Sequence, residues 1–202
     1  MTTIVIGAGG FVGGALVRRL QAEGQSVVPV GRGQAMPSLS GDVFYCAGLT
    51  ADFRSRPHDT ISAHVSLIND LLRDHTFDSL TYLSSTRVYQ KAVTGRETES
   101  IPVDPADPSD LYNLSKLTGE AICLNDPRPT VRTVRLSNVF GPGSGENFLD
   151  TVIAAVRRDG RVHIGSGATG AKDYIAIDDV IDALLRVPDR ASSRLLNLAS
   201  GT

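Results

Sequence analysis

The chain has few of the residues that mark a secreted protein or one that binds nucleic acid. Its 202 residues include no tryptophan and only two cysteines, and the formal net charge is −2. Cys46 and Cys123 lie in separate apolar stretches, so we expect two buried free thiols rather than a disulfide. A net charge this small gives no electrostatic reason to expect nucleic acid or an anionic membrane as a partner.

Long hydrophobic runs are also missing. No apolar stretch approaches the roughly 18 residues of a membrane span, and a strand pattern begins near Met1 without a basic and apolar leader. These observations predict a cytoplasmic protein that contacts no membrane. The four histidines do not follow the His-Glu-x-x-His spacing of zinc ligands, so no metal site is expected. A composition of 41% hydrophobic and 21% charged residues is typical of one globular domain, here taken as residues 1–202.

What the sequence does contain is an alternation of strand and helix patterns. Short β-rich apolar runs predict strands over residues 3–6, 27–30, 43–47, 80–84 and 131–136. Apolar residues at helical spacing predict helices over residues 10–23, 60–74, 111–124, 147–159 and 178–186. Because crossovers between parallel strands are right-handed and cover both faces of a sheet, the alternation predicts a doubly wound α/β fold.

Three glycines lie where the first predicted strand gives way to the first helix. Gly7, Gly10 and Gly13 are spaced three residues apart. A strand, a tight turn and a helix start together direct unpaired N–H groups and the positive end of the helix dipole at one point, where a diphosphate can bind. We expect Gly7 to make the turn, Gly10 to admit the pyrophosphate and Gly13 to let the helix pack on its strand. A strand-turn-helix with incidental glycines is the alternative.

A phenol and an ammonium open the third predicted helix. Tyr112 and Lys116 are four residues apart, which places both side chains on one helical face. A free tyrosine titrates near pH ~10, and a neighbouring ammonium favours the phenolate, which suits the pair to proton transfer at neutral pH. Taken alone, a tyrosine and a lysine at this spacing are more often solvated surface residues.

The fourth predicted strand runs out into hydroxyl residues. Ser84, Ser85 and Thr86 follow its apolar core, at the carboxyl edge of the sheet where ligands of open α/β sheets bind. Because the glycine turn lies on the same edge, Ser85 is placed to meet Tyr112. These hydroxyls are also consistent with a simple turn or cap.

In this order along the chain, the motifs resemble the extended short-chain dehydrogenase/reductases. The similarity is to the NAD-dependent epimerase/dehydratase group, which acts largely on nucleotide sugars. The resemblance is carried by the glycine turn and by the segments at residues 44–48, 84–89, 112–116, 135–142 and 172–180. It implies a Rossmann fold, a nicotinamide cofactor and hydride transfer.

The resemblance also implies roles for single residues. Tyr112 becomes the general acid or base on a substrate oxygen, and Lys116 becomes the group that tunes its pKa and binds the cofactor ribose. Ser85 hydrogen-bonds the reacting oxygen, with Thr86 as the second choice for that role. Thr86 and Asn138 are expected to contact the substrate. The residues expected to bind the cofactor are Gly7, Gly10, Phe11, Val12, Gly13, Arg32, Ala47, Gly48, Tyr112 and Lys116.

The end of the second strand departs from the pattern of many NAD-dependent relatives. They place an acidic residue there to bind the ribose 2′-hydroxyl, whereas this chain has Gly31 followed by Arg32. A guanidinium can pair with a 2′-phosphate, so NADP(H) is predicted to be preferred, with NAD(H) possible. The alternative is that Arg32 is a solvated loop residue.

Further departures concern the edge of the sheet and the substrate side. Only a short loop joins Arg32 to the strand at residue 43, so we expect a sheet trimmed at one edge. His64 stands where many relatives have asparagine, and a buried or helix-surface histidine is expected. The chain stops at residues 197–202, where relatives continue, so residues 138–202 are expected to form a small, short or incomplete C-terminal substrate-binding part. By analogy, helices 60–74 and 111–124 are expected to pair in a homodimer.

The function predicted from these features is a nucleotide-sugar epimerase or keto-sugar reductase whose substrate is a small molecule. A dehydratase is the weaker option, because Thr86 and Arg87 occupy the stretch where dehydratases carry an acid. The alternatives are a non-catalytic NAD(P)-binding sensor or partner subunit, and a reductase of a non-sugar carbonyl.

Overall fold

A parallel sheet of six strands forms the centre of the molecule. The computed structural model describes residues 2–144, 148–163 and 171–201. The strands lie in the order β2-β1-β3-β4-β5-β8, and every neighbouring pair is parallel. Their bounds are β1 Thr3–Ile6, β2 Val27–Val30, β3 Asp42–Tyr45, β4 Ser79–Ser85, β5 Val131–Leu136 and β8 Leu195–Leu198. This strand order confirms the predicted doubly wound fold.

Helices cover both faces of this sheet. They are α1 Phe11–Ala22, α2 Pro57–Ile61, α3 Leu67–Asp74, α4 Asp110–Asn125, α5 Phe148–Asp159, α6 Ile177–Leu184 and α7 Val187–Arg190. The predicted helix 147–159 matches α5, although its first residue, Asn147, lies outside the described residues. A second sheet of two parallel strands, β6 Asn138–Phe140 and β7 Tyr174–Ala176, was not predicted.

Alternation along the strands builds two apolar layers. Val5 and Phe44 point to the layer that contains α1 and α6, whereas Ile4, Ile6 and Tyr45 point to the layer that contains α3. Successive side chains of a strand face opposite sides of a sheet, so one short run fills both layers. The carboxyl ends of the strands are therefore held in place by packed apolar layers on both faces of the sheet.

The sheet is trimmed at the β2 edge, as predicted. β2 has β1 as its only neighbour, and the described residues between Val30 and Asp42 form no strand. The chain passes directly from the end of β2 into β3, on the other side of β1. The carboxyl end of β2 is consequently open to a ligand from the side.

The helix predicted over residues 60–74 has a more complex form. It begins at Pro57, and a π-helical turn, Ser62–Ser66, separates α2 from α3. The carbonyl oxygen of Ala63 accepts a hydrogen bond from the Tyr45 hydroxyl at 2.6 Å, and that of His64 accepts one from the Tyr82 hydroxyl at 3.0 Å. Two tyrosines of the sheet thus donate hydrogen bonds to carbonyl groups of the π-helical turn. Because a π-helical turn is wider than an α-helical one, it directs His64 toward the carboxyl ends of the strands.

Candidate functional site

Two adjoining clefts open at the carboxyl ends of the strands. The first, of about 660 Å³, lies between the glycine turn and the end of β2. The second, of about 980 Å³, lies over the end of β4 and the start of α4. Gly10, Ala47 and Gly48 line both clefts, so a long ligand can extend from one into the other.

The glycine turn has the form that a diphosphate site requires. Gly7 has a φ of 84°, and a Cβ there would lie 2.6 Å from the Ala47 nitrogen. A Cβ at Gly13 would overlap the carbonyl oxygen of Gly7. Gly10 caps α1 with its backbone alone, and among the described residues no side chain caps this end and no acidic residue lies in its first turn. The amides of Phe11 and Val12 are consequently free of a capping oxygen, which fits an anionic group.

The end of β2 presents neutral and basic groups to the first cleft. Gly31, Arg32 and Gln34 all line it. The Gly31 amide donates to the Gln34 Oε1 at 2.5 Å. The Gln34 carboxamide is therefore bound to the backbone at the end of β2, and Arg32 lines the same cleft.

Helix α4 brings Tyr112 and Lys116 together beneath the second cleft. Tyr112 is 4% exposed and Lys116 is 5% exposed, and both line this cleft with Ser85. Burial raises the pKa of Tyr112, whereas a hydrogen bond from Ser85 and the charge of Arg87 oppose this rise. Neither member of the pair is a solvated surface residue, and all three predicted side chains meet in one place.

The ammonium of Lys116 is held by strand β4. Its Nζ donates to the carbonyl oxygen of Leu83 at 2.8 Å and lies 5.0 Å from the centre of the Tyr82 ring. Burial lowers the pKa of Lys116 to about 8, and the carboxylate of Glu120 acts in the opposite direction. A lysine with this pKa is mostly charged at pH 7 and loses its charge as the pH rises through about 8.

A buried ion pair between Glu120 and Arg135, which was not predicted from the sequence, packs beneath Lys116 and strand β4. Glu120 binds the Arg135 Nη2 at 2.5 Å and accepts a hydrogen bond from the Ser84 hydroxyl at 2.5 Å. Arg135 also donates to the Tyr89 hydroxyl at 2.6 Å. The sequence feature that indicates a carboxylate near Lys116 is the position of Glu120, four residues further along the same helical face.

The residues after β4 form a short 3₁₀ turn. The Ser85 Oγ accepts the Arg87 amide at 3.2 Å, so Ser85 caps this turn and also lines the cleft. Ser85 therefore fits both alternatives that the sequence leaves open, a residue that lines the site and a residue that caps a turn. Thr86 lines the second cleft, as does Arg87, whose guanidinium carbon lies 5.3 Å from the centre of the Tyr112 ring. From the sequence, Arg87 indicates only a departure from the dehydratase pattern.

The opposite wall of the second cleft comes from the small sheet. Asn138 begins β6, and its side-chain amide donates to the carbonyl oxygen of Asp173 at 2.8 Å. Lys172, Tyr174 and Phe148 line the same wall and were not predicted as site residues. The proximity of Tyr174 to Asn138 depends on the β6–β7 pairing, which periodicity along the chain does not reveal.

His64 is fully buried beneath the point where the two clefts meet. Its Nε2 lies 3.1 Å from the Leu49 amide nitrogen, and its Nδ1 lies 2.8 Å from the Ser115 Oγ. Of the two positions that the sequence leaves open for His64, buried or on the helix surface, the structure shows the buried one.

No helix in the described part of the chain is long and apolar enough to cross a membrane.

A family model matches most of the chain. Residues 40–199 match the model described as the NAD dependent epimerase/dehydratase family. Among curated proteins, UDP-glucose 4-epimerase of Mycolicibacterium smegmatis is 27% identical, over 92% of this chain and 72% of the relative. A dTDP-4-dehydrorhamnose reductase of Mycobacterium tuberculosis is 26% identical, over 98% of this chain and 69% of the relative.

Solved structures share the fold. TunA, described as an NAD-dependent NDP-hexosamine 5,6-dehydratase, superposes with a TM-score of 0.81 at 23% identity, over 100% of this chain and 76% of that one. RMD from Pseudomonas aeruginosa, solved with NADPH, gives a TM-score of 0.77 at 22% identity, over 100% of this chain and 79% of that one. The shared fold includes the carboxyl edge on which both clefts lie.

Proposed function

Since the chain belongs to the NAD dependent epimerase/dehydratase family, we propose that it epimerises a nucleotide sugar or reduces a keto sugar by hydride transfer. The observation that carries the proposal is the meeting of Ser85, Tyr112 and Lys116 in one cleft that continues into the glycine-turn cleft. Similarity to an epimerase and to several dTDP-sugar reductases supports both reactions.

Each of the three residues has a defined task in this proposal. Tyr112 transfers a proton to or from the oxygen of the reacting carbon, and Ser85 donates a hydrogen bond to the same oxygen. The ammonium of Lys116 stabilises the phenolate and binds the ribose of the cofactor. A bound nicotinamide supplies the hydride chemistry. Burial of Tyr112 keeps water away from the phenol, which strengthens its interaction with the charges around it.

The first cleft is proposed to hold the adenosine end of the cofactor. The uncapped start of α1 binds the pyrophosphate. We propose a preference for NADP(H) over NAD(H), because Arg32 supplies a positive charge where a carboxylate would repel a 2′-phosphate. The proposed cofactor-binding residues are Gly7, Gly10, Phe11, Val12, Gly13, Arg32, Ala47, Gly48, Tyr112 and Lys116.

The second cleft is proposed to hold the sugar nucleotide, with Thr86 and Asn138 in contact with it. Residues 138–202 supply the substrate-side wall within a single domain formed by residues 1–202. A dehydration is disfavoured because the two residues after Ser85 carry no carboxyl group to protonate a departing hydroxyl. Arg87 adds a positive charge at that point, near Tyr112.

We also propose a homodimer that pairs α4 with the helical segment containing α2 and α3. Ile61 is 40% exposed and Leu67 is 37% exposed on that segment, so pairing would bury apolar surface. Light scattering coupled to gel filtration measures the mass directly. A monomer at micromolar concentration would contradict this part of the proposal.

The decisive experiment measures both the consumption of cofactor and the conversion of the sugar. The protein is incubated with NADPH or NADP⁺ and with UDP- and dTDP-linked sugars or 4-keto sugars, and products are identified by mass and NMR. A reductase consumes NADPH in proportion to product, whereas an epimerase interconverts two sugars without net consumption. Binding of cofactor without conversion of any sugar or other carbonyl compound would contradict the proposal and favour a non-catalytic sensor.

A further inference from the structure

We propose that His64 is a positioning residue, which links the cofactor-side loop at residues 47–49 to the catalytic helix as a neutral imidazole with its proton on Nδ1. The proposal rests on the proposed function and adds to it a residue outside the Ser85, Tyr112 and Lys116 set. His64 is 0% exposed and lies in the π-helical turn Ser62–Ser66.

The hydrogen bonds of the imidazole determine its tautomer. A backbone amide only donates, so the Nε2 that faces the Leu49 amide must carry a lone pair. In a neutral ring the proton is then on Nδ1, which donates to the Ser115 Oγ at 2.8 Å. The Ser115 hydroxyl in turn donates a hydrogen bond to the carbonyl oxygen of Tyr112 at 2.9 Å. One chain of hydrogen bonds therefore runs from the loop to the backbone of the catalytic tyrosine.

The imidazole also contacts the reactive side chains. Its ring stands edge-on to the ring of Tyr112, with centroids 5.3 Å apart and planes at 89°. A Cβ added to Gly48 would lie 3.1 Å from the His64 Nε2 and 3.3 Å from the Lys116 Nζ. The loop that lines both clefts is thus held directly against the imidazole and the ammonium. A shift of this loop would move the cofactor relative to Tyr112.

The surroundings of His64 keep the ring neutral. The ionisable groups that face it are Lys116 and Tyr112 from α4, with Tyr82 from β4 bound to its carbonyl oxygen. Burial and the charge of Lys116 lower the pKa of His64 to about 2. Protonation of Nε2 would break the bond from Leu49 and place two cations side by side. We therefore expect the link to persist between about pH 5 and 9.

The tautomer can be observed without any enzymatic assay. The protein contains four histidines, so its ¹⁵N-histidine spectrum is simple, and the signals of His64 are those lost in His64→Gln. We expect the Nδ1–H tautomer and no titration of this ring between about pH 5 and 9. An Nε2–H tautomer, or a ring that titrates in this range, would overturn the proposal whatever the substrate is.

Variants separate positioning from a structural role. His64→Phe keeps the ring but loses both hydrogen bonds, so we expect the Kd of the cofactor to rise and the rate of hydride transfer to fall, each by about five- to tenfold. His64→Gln can still accept from the Leu49 amide and is expected to recover cofactor affinity. Ser115→Ala keeps the Leu49 bond and is expected to slow hydride transfer while cofactor affinity stays near that of the wild type.

A matched control is available away from the turn and from the proposed dimer interface. Ser192→Ala changes an exposed serine that lines neither cleft and is expected to leave both measurements unchanged. If His64→Phe unfolds, the comparison of His64→Gln with Ser115→Ala still tests the two halves of the link. Equal cofactor affinity and equal rates in all His64 and Ser115 variants would overturn the proposal even if the enzyme is an active reductase or epimerase. If no turnover is found, the tautomer and the cofactor affinities still decide it.

Discussion

The amine of Lys116 donates a hydrogen bond of 2.8 Å to the carbonyl oxygen of Leu83, inside the strand that ends at Ser85. This bond joins the catalytic helix to the strand that carries the catalytic hydroxyl. It also holds an ammonium group in the interior, since Lys116 is buried. The geometry of the site and the ionisation of the lysine are therefore coupled.

This coupling predicts a pH-dependent difference between the wild type and Lys116→Met. The pKa of Lys116 is about 8 in the folded protein, below its ordinary value of 10.5. Between these two values the unfolded chain binds more protons, so the wild type gains stability as the pH rises from about 8 to 10.5. The gain relative to Lys116→Met is about 3 kcal/mol, and the cost of burying the charge is fully present below about pH 8.

Urea unfolding at pH 7, 9 and 10.5 measures this difference. Titrating groups that do not interact with Lys116 act on both proteins and cancel in the comparison, and loss of the hydrogen bond to the Leu83 carbonyl adds a term that does not vary with pH. A difference in unfolding free energy that is constant over this range would contradict a lowered lysine pKa.

Arg32→Ala tests the cofactor preference. We expect a 10- to 100-fold rise in the Kd of NADPH, as for loss of a charged hydrogen bond to phosphate, and little change for NADH. Arg158→Ala is the matched control, because Arg158 is an exposed arginine on α5 paired with Asp159. Fluorescence titration gives both constants. Equal losses for NADPH and NADH, or none for either, would show that Arg32 does not bind a 2′-phosphate.

Much of the fold was predictable because it depends on local patterns. The alternation of strands and helices fixed the class, and three glycines marked the turn whose shape Gly7 and Gly13 make possible. The loop between Arg32 and β3 was too short for another strand and helix, which indicated the trimmed edge. Tyr112 and Lys116 share a helical face by spacing alone, and the end of β4 placed Ser85 near them.

Other parts depend on packing that no local pattern shows. The π-helical turn arises where two tyrosines of the sheet bind the carbonyl groups of Ala63 and His64. Glu120 and Arg135 are charged residues that a sequence argument assigns to the surface, yet they pair with each other inside the protein. β8 lies beside β5 although 58 residues separate Leu136 from Leu195. Its four residues are too few to give a clear strand periodicity in the sequence.

Gly119→Ala tests the close approach of α4 to the π-helical turn. A Cβ at this position would overlap the Tyr82 hydroxyl and the His64 carbonyl oxygen. Both atoms belong to the hydrogen bond that supports the turn, so neither can move freely. We expect a loss of about 1–3 kcal/mol in the free energy of unfolding, as for overpacked interiors.

Gly95→Ala serves as the control for this substitution. No described atom lies within 4 Å of a Cβ at Gly95, and its φ is not in the left-handed region. We expect its unfolding free energy to stay within about 0.5 kcal/mol of the wild type. Equal stability of the two alanine variants in urea unfolding would show that the helix can relax away from the turn.

The most direct test of the proposed chemistry is single-turnover hydride transfer in Tyr112→Phe, measured with the substrate that the screen identifies. Phenylalanine keeps the ring that packs against His64 and removes only the hydroxyl. The account predicts a fall in the rate of at least about 100-fold, as for loss of a general acid or base, with a rise in the Kd of the cofactor of no more than about tenfold, as for loss of one hydrogen bond. A Tyr112→Phe protein that transfers hydride at the wild-type rate would contradict the assignment of Tyr112 as the proton-transfer group.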